Sequence, residues 1–315
     1  MKSAVYVSDA LRRYPDVYLG IITACRQSGI KQGIVDKTQN IWCRDFMPVQ
    51  VNNHFVKFRY KNGLTDHDFK CYPQLKVTDE CYPWLLDRMR YSDIVLDGGN
   101  CVNGGNKFYV TDIIFKHNPR YRKITLLSKL EKVLESEVIL IPVEPYDDLG
   151  HSDGILKPIS DNEVFINDYR VMNRTPYEEK VYRNYHSKLV GCLTHHKINC
   201  IPFPYAYHRQ PKMREADFRK KYPMADDFNP GIGYYINFLM VDSMIILPQF
   251  GIEEDAKAER FVKQWFPHSN VFPIDCSDLA MEGGMINCVT WEYRDGNESH
   301  GTKSGRNNVK LFVCR

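Results

Sequence analysis

Five short polar motifs hold the chemistry available to this chain of 315 residues. They are Trp42-Cys43-Arg44-Asp45, Asp97-Gly98-Gly99-Asn100, Gly150-His151-Ser152-Asp153, Tyr235-Ile236-Asn237-Phe238 and Gly283-Gly284-Met285-Ile286-Asn287-Cys288. Together they supply two thiols, one imidazole and three carboxylates, of which Cys288, His151, Asp45, Asp97 and Asp153 are the candidates for chemistry. A thiolate is a nucleophile, an imidazole moves protons near neutral pH, and carboxylates hold cations. That set suits chemistry on a planar cation such as a guanidinium group.

Taken singly, each motif has a plainer reading. Cys288 follows a Gly-Gly turn and precedes Val289-Thr290, a strand entry where a side chain can stand exposed; one cysteine among ten is ordinarily a small buried apolar residue. His151 lies on a loop between glycines, where an exposed histidine needs no role. Asp45 beside Trp42 offers an aromatic face and a bidentate acceptor for a flat cation. Arg44-Asp45 would equally serve as an exposed charged turn. Asp97-Gly98-Gly99-Asn100 has the composition of a tight turn. Asn237 is less expected, because Asn is disfavoured within strands, and it fits a polar role at a sheet rim. Asp147-Asp148 and His195-His196 lack the spacing of a metal-ligand set.

The elements that must position these groups follow one grammar. A strand of β-branched residues runs into a polar loop that ends in the motif; a second strand follows, often with a hairpin to a third. Residues 33–35 lead to Trp42 and then to 49–51 and 55–58; 93–96 lead to Asp97; 138–143 lead to His151; 198–203 lead, after an insertion over 205–229, to Asn237; 271–274 lead to Cys288. A repeat of about 50 residues, five times over, predicts a closed radial array whose equivalent loops face one axis. Helices are expected over 6–28, 125–137, 175–190 and 253–265. With no linker or low-complexity segment, residues 1–315 form a single domain.

Composition excludes several function classes. The chain is 43% hydrophobic and 26% charged, an ordinary globular balance, and a net charge of +3 is too small to imply a nucleic-acid or membrane partner. The short basic runs 120–123 and 219–221 are solvated faces. There is no apolar leader and no run of 18 apolar residues. No Cys-x-x-Cys pair occurs, so free thiols in a reducing cytoplasm are expected. Neither Gly-x-Gly-x-x-Gly nor a P-loop supports nucleotide binding.

In this order, the five motifs resemble the guanidino-group-modifying (pentein) superfamily, and most closely its agmatine deiminase and bacterial-type peptidylarginine deiminase family. Residues 40–48 are similar to that family's Trp-x-Arg-Asp-x-x-Pro, Asp97 to Asn100 to its Glu-Gly-Gly-Asn, and Gly150 to Asp153 to its Gly-His-x-Asp. Tyr235 to Phe238 resembles its Tyr-x-Asn-Phe, and Gly283 to Thr290 its Gly-Gly-x-Ile-His-Cys-x-Thr. Two positions depart: Asn287 stands where the family has His, and Asp97 where it has Glu.

The resemblance implies an α/β fold, a five-bladed pseudo-symmetric propeller of ββαβ-type repeats around an acidic pocket. It implies a deiminase that turns a guanidine into a ureido group and releases ammonia, with no metal or organic cofactor. The substrate would be agmatine, an arginine derivative or peptidyl-arginine. The implied catalytic set is Cys288 as nucleophile, His151 as acid and base, Asp45 and Asp153 as clamps and Asp97 as the partner of His151. Trp42, Asn237, Gly284 and Arg59 would line the substrate site, Arg59 facing an α-carboxylate. An amidinotransferase, a non-catalytic cation-binding protein and a homo-oligomer stay open.

Overall fold

The computed structural model describes residues 3–36, 38, 40–60, 76–77, 87–147, 149–170, 176–206 and 231–294. Its strands fall into five small sheets. The first contains β1 (Ala4–Ser8) and β2 (Lys31–Asp36), which run parallel. Between them lies α1 (Pro15–Gln27), started by a proline in its first turn, where the missing N–H is not needed. The second sheet is β3 (Val49–Val51), β4 (His54–Arg59) and β6 (Met89–Val95), with β5 (Lys76–Val77) pairing back onto β2. The third is β7 (Val102–Asn103), β8 (Lys107–Thr111) and β9 (Glu137–Ile141), joined by α2 (Lys123–Leu134). The fourth is β10 (Leu156–Ser160), β11 (Glu163–Asn167) and β12 (Asn199–Phe203), with α3 (Pro176–His195). The fifth is β13 (Leu239–Val241), β14 (Met244–Gln249) and β15 (Asn270–Asp275), with α4 (Asp255–Trp265).

Each sheet has the same build. Its first strand is antiparallel to the second, and the second is parallel to the third. The first sheet obtains its first strand from the other end of the chain: β16 (Thr290–Tyr293) pairs antiparallel with β1, from Val7↔Thr290 to Ala4↔Tyr293. This pairing closes the ring and leaves a five-bladed α/β propeller. First strands of neighbouring sheets are tied to each other as well. Gln50 of β3 exchanges hydrogen bonds with the Arg294 backbone just past β16, and Arg294 Nη2 donates to Met240 O of β13 at 2.7 Å.

The expected helix over 6–28 is corrected at its start. Ala4 to Ser8 form a strand, and the α-helix begins only at Pro15. Val5 and Val7 are buried on a strand flanked on both edges, so sheet pairing overrides the local helical spacing. The second helix ends at Leu134, where Glu135 turns left-handed (φ 52°) before β9, and the third extends to His195. Outside the ring, apolar helix faces pack on the sheets. Phe165, Phe203 and Phe238 meet Phe261 and Phe266 of the α4 region in stacked and edge-on contacts. Phe203 is fully buried there, so Phe203→Ala would cost about 3–5 kcal/mol.

The motifs do not sit within blades. Each lies on the chain that leaves the third strand of one sheet and enters the first strand of the next. The strands on either side of a motif therefore belong to different sheets, and the motifs mark the five inter-blade junctions. The insertion over 205–229 lies almost wholly outside the described residues. No described helix is long and apolar enough to cross a membrane.

Candidate active site

Local hydrogen bonds shape each junction. Trp42 N–H donates to Asn40 Oδ1 at 2.8 Å and starts the single turn Cys43–Phe46, which buries Cys43 and Phe46 and turns Arg44 and Asp45 away from that core. Gly98–Asn100 is a 3-10 turn closed by Asn100 N–H on Asp97 O, and Asn100 Oδ1 accepts Thr111 N–H at 2.8 Å. Ser152 Oγ joins the next junction to it through Tyr109 O at 3.0 Å and Gly99 O at 3.3 Å. Tyr235 donates to Asp255 Oδ1 at 2.6 Å; Asp255 also accepts the Phe250, Gly251 and Ile252 amides, which fixes the entry to α4.

Three junctions meet at Gly99: that of Asp45, its own, and the one that carries both His151 and Asp153. A β-carbon there would lie 2.7 Å from Asp45 Oδ1, 2.7 Å from His151 Nδ1 and 3.3 Å from Asp153 Oδ1, so only glycine admits all three groups. Gly99 N–H donates to Asp45 Oδ1 at 2.9 Å. The imidazole lies between two carboxylates, with Nδ1 3.6 Å from Asp45 and Nε2 3.3 Å from Asp97. Cys288 Sγ is 3.4 Å from Asn237 Oδ1 and 4.0 Å from Asp153 Oδ2. Gly284 packs directly under the Trp42 indole, where any β-carbon would collide with the ring. Trp42 thus forms a flat wall beside the thiol loop.

Desolvation and like charge set the electrostatics. Burial first, then Asp97 and Asp153, push Asp45 up to about 7 against the pull of His151 and the Gly99 amide. Burial disfavours the His151 imidazolium, but Asp45, Asp97 and Asp153 outweigh it and raise the group to about 10. Cys288 is raised well above an ordinary thiol by burial, Asp153 and Asp45. The set can therefore accept a planar cation, donate a proton from His151 and release a thiolate once the carboxylate charge is balanced. Among the described residues no group of three or more His, Cys, Asp or Glu is arranged to hold a metal ion.

Of the sequence candidates, Cys288, His151, Asp153, Asp45, Asp97, Asn237, Trp42 and Gly284 are brought together. Arg59 is half-buried at the end of β4, and its carbonyl accepts Leu96 N–H at 3.0 Å next to Asp97. Its backbone thus adjoins the Asp97 junction. The residue that sequence reasoning missed is Arg44. Its guanidinium pairs with Glu292 and donates to Asn287 O at 3.3 Å and Asn287 Oδ1 at 3.2 Å. Its amide donates to Cys288 O at 3.0 Å. Arg44 is a cation set behind the nucleophile loop rather than part of an exposed turn, with its side chain 14% exposed. Lys157 also lies behind the site and donates to Phe238 O at 2.6 Å; burial first, with Arg44 and Arg294, lowers it to about 8.

This chain is similar to known proteins. A family model described as Porphyromonas-type peptidyl-arginine deiminase matches residues 7–293. A protein of Streptococcus mutans, provisionally named agmatine deiminase, is 28% identical over 280 residues, covering 82% of this chain and 75% of its own. The agmatine deiminase of Pseudomonas aeruginosa is 27% identical over 64% of this chain and 58% of its own. Among solved structures, the Campylobacter jejuni agmatine deiminase with substrate bound superposes with a TM-score of 0.69 at 13% identity, covering 94% of each chain. The Enterococcus faecalis agmatine deiminase does so with a TM-score of 0.68 at 17% identity, again over 94% of each.

Proposed function

The chain belongs to the Porphyromonas-type peptidyl-arginine deiminase family, and from that premise we propose a hydrolase that converts agmatine, or a small guanidine like it, to the ureido compound and ammonia. The observation that carries this reading is the convergence of Asp45, His151 and Asp153 around Gly99 with Cys288 beside Asp153. The agmatine deiminase names of the curated relatives support a small substrate over peptidyl-arginine. The absence of a described membrane-spanning helix fits a cytoplasmic enzyme.

Asp45 and Asp153 grip the guanidinium nitrogens against the Trp42 face. The cation offsets the carboxylate charge that opposes ionisation of Cys288, so the thiol gives up its proton to solvent as substrate arrives. The thiolate forms a C–S bond to the guanidine carbon. His151, held as imidazolium between Asp45 and Asp97, protonates the departing nitrogen; the C–N bond breaks and ammonia leaves a thiouronium. The neutral imidazole then takes a proton from water as the oxygen adds to that carbon. Collapse breaks the C–S bond, the hydroxyl proton passes to the departing sulfur, and the ureido product leaves with the thiol restored. Asp97 orients the ring, as the acid does in triad-type sites.

The direct test is incubation with agmatine, arginine, methylated arginines and peptidyl-arginine, followed by assay for ureido product and ammonia. Agmatine is expected to give both in equal amounts. Failure of every guanidine across the neutral and alkaline range would refute the reading. Transfer to an added amine without ammonia would replace it with an amidinotransferase.

A further inference from the structure

Asn287 precedes the thiol and is buried, and all four of its polar groups are engaged. Its N–H donates to Asn237 Oδ1 at 3.1 Å, and its carbonyl accepts Arg44 Nε at 3.3 Å. Its side-chain oxygen accepts Arg44 Nη2 at 3.2 Å, and its side-chain nitrogen donates to Asp153 Oδ2 at 2.7 Å. The direction of this bridge is dictated by chemistry. A guanidinium only donates, so the amide oxygen must face Arg44; a carboxylate only accepts, so the NH2 must face Asp153. Asp153 is thereby held by Oδ2, and its Oδ1 is turned toward the space above Gly99.

We infer that Asn287 is a positioning residue for cation recognition: it carries the order of the Arg44–Glu292 ion pair across to Asp153 and aims that carboxylate at the substrate. The inference rests on the guanidine-hydrolase reading. An amide does this without titrating. An imidazole at the same place can accept from Arg44 and donate to Asp153 only while neutral; protonation forfeits the acceptor and sets a cation against Arg44. The charged and titratable groups around the bridge are Asp45, Asp97, His151 and Cys288 on the substrate side, and Arg44, Glu292, Arg294 and Lys157 behind it.

The test compares alkylation of Cys288 by chloroacetamidine, a planar cation, with alkylation by neutral chloroacetamide of the same shape. Mass spectrometry of the whole chain gives the ratio of rates. The native chain should prefer the amidine strongly. Asn287→Leu, which keeps the branch at Cγ and loses the bridge, should lower the ratio roughly 10- to 100-fold, the range of a hydrogen bond to a charged group, with the chloroacetamide rate little changed. Asn287→His should match the native ratio at alkaline pH. Relative to the native chain at each pH, it should fall away below about 6.5.

A native chain without amidine preference would overturn the guanidine reading and this inference with it. A native preference kept within twofold by folded Asn287→Leu would overturn the positioning role alone. Should the leucine variant not fold, a histidine variant whose ratio tracks the native chain from acid to alkaline pH would overturn it in its place.

Discussion

Two buried acidic centres lie at the inter-blade junctions, and they are completed in opposite ways. Glu144 precedes the His151 loop and is closed on both oxygens: Oε2 accepts the Tyr169 hydroxyl and Oε1 the Tyr234 hydroxyl, each at 2.8 Å. Burial first, and then the Glu144 charge, raise both phenols far above their usual range, so they stay protonated donors. Tyr234 lies on the junction that carries Asn237, so Glu144 staples two junctions together. The Asp45, Asp97 and Asp153 group is instead filled mainly by one imidazole, one backbone amide and the Asn287 amide. Asp45 Oδ2 and Asp153 Oδ1 take no hydrogen bond from the described residues. A carboxylate closed on both oxygens by hydroxyls holds the scaffold; one left with acceptor capacity beside a thiol can take a further donor.

Substitutions can break this contrast, beginning with the largest effect. Cys288→Ala should reduce turnover about 10⁴-fold or more, as loss of a covalent nucleophile does, whereas Cys43→Ala, a buried thiol in the same turn as Asp45, should leave kcat nearly intact; steady-state kinetics on both decides. His151→Gln should cost about 10²- to 10⁴-fold in kcat. Asp153→Asn should cost about 10²- to 10³-fold in kcat/KM, and its chloroacetamidine labelling should fall with it. Glu144→Gln should do the reverse. It should lower the unfolding free energy by roughly 1.5–3 kcal/mol in a denaturant melt while kcat stays close to native.

The pH profile sharpens the same point. Asp45, raised to about 7, takes a proton as pH falls and loses its hold on the cation, so kcat/KM should decline on the acid side of about 7. His151, raised to about 10, loses its donor proton as pH rises, so activity should decline again above about 10. Asp45→Asn should remove the acid limb and leave the alkaline one. An acid limb unchanged in that variant would assign it elsewhere.

Much of this was legible in the sequence because the chemistry recurs at one turn of each repeat. Cys288, His151 and the three aspartates stand on short motifs whose common position carries more information than any one of them. Arg44 was not legible. Its neighbour Asp45 made it look like half of an exposed charged turn, and its actual partner, Glu292, is 248 residues away on β16. The same closure hid the first strand. Tyr6 to Ser8 read locally as the start of a helix, and they belong to a strand because β16 and β2 flank them. Both misses are consequences of ring closure, which brings the two ends of the described chain together and leaves no local signal.

The central claim is that the acidic group turns Cys288 into a nucleophile toward a planar cation. Acid-quenching the reaction with agmatine and weighing the intact chain tests it most directly. A transient adduct is expected, heavier by the amidino portion of agmatine with its alkyl arm when the lost nitrogen is the unsubstituted one, located on the Cys288 peptide and absent from Cys288→Ser. Ureido product formed at the native rate by Cys288→Ser, or an adduct on another cysteine, would contradict it.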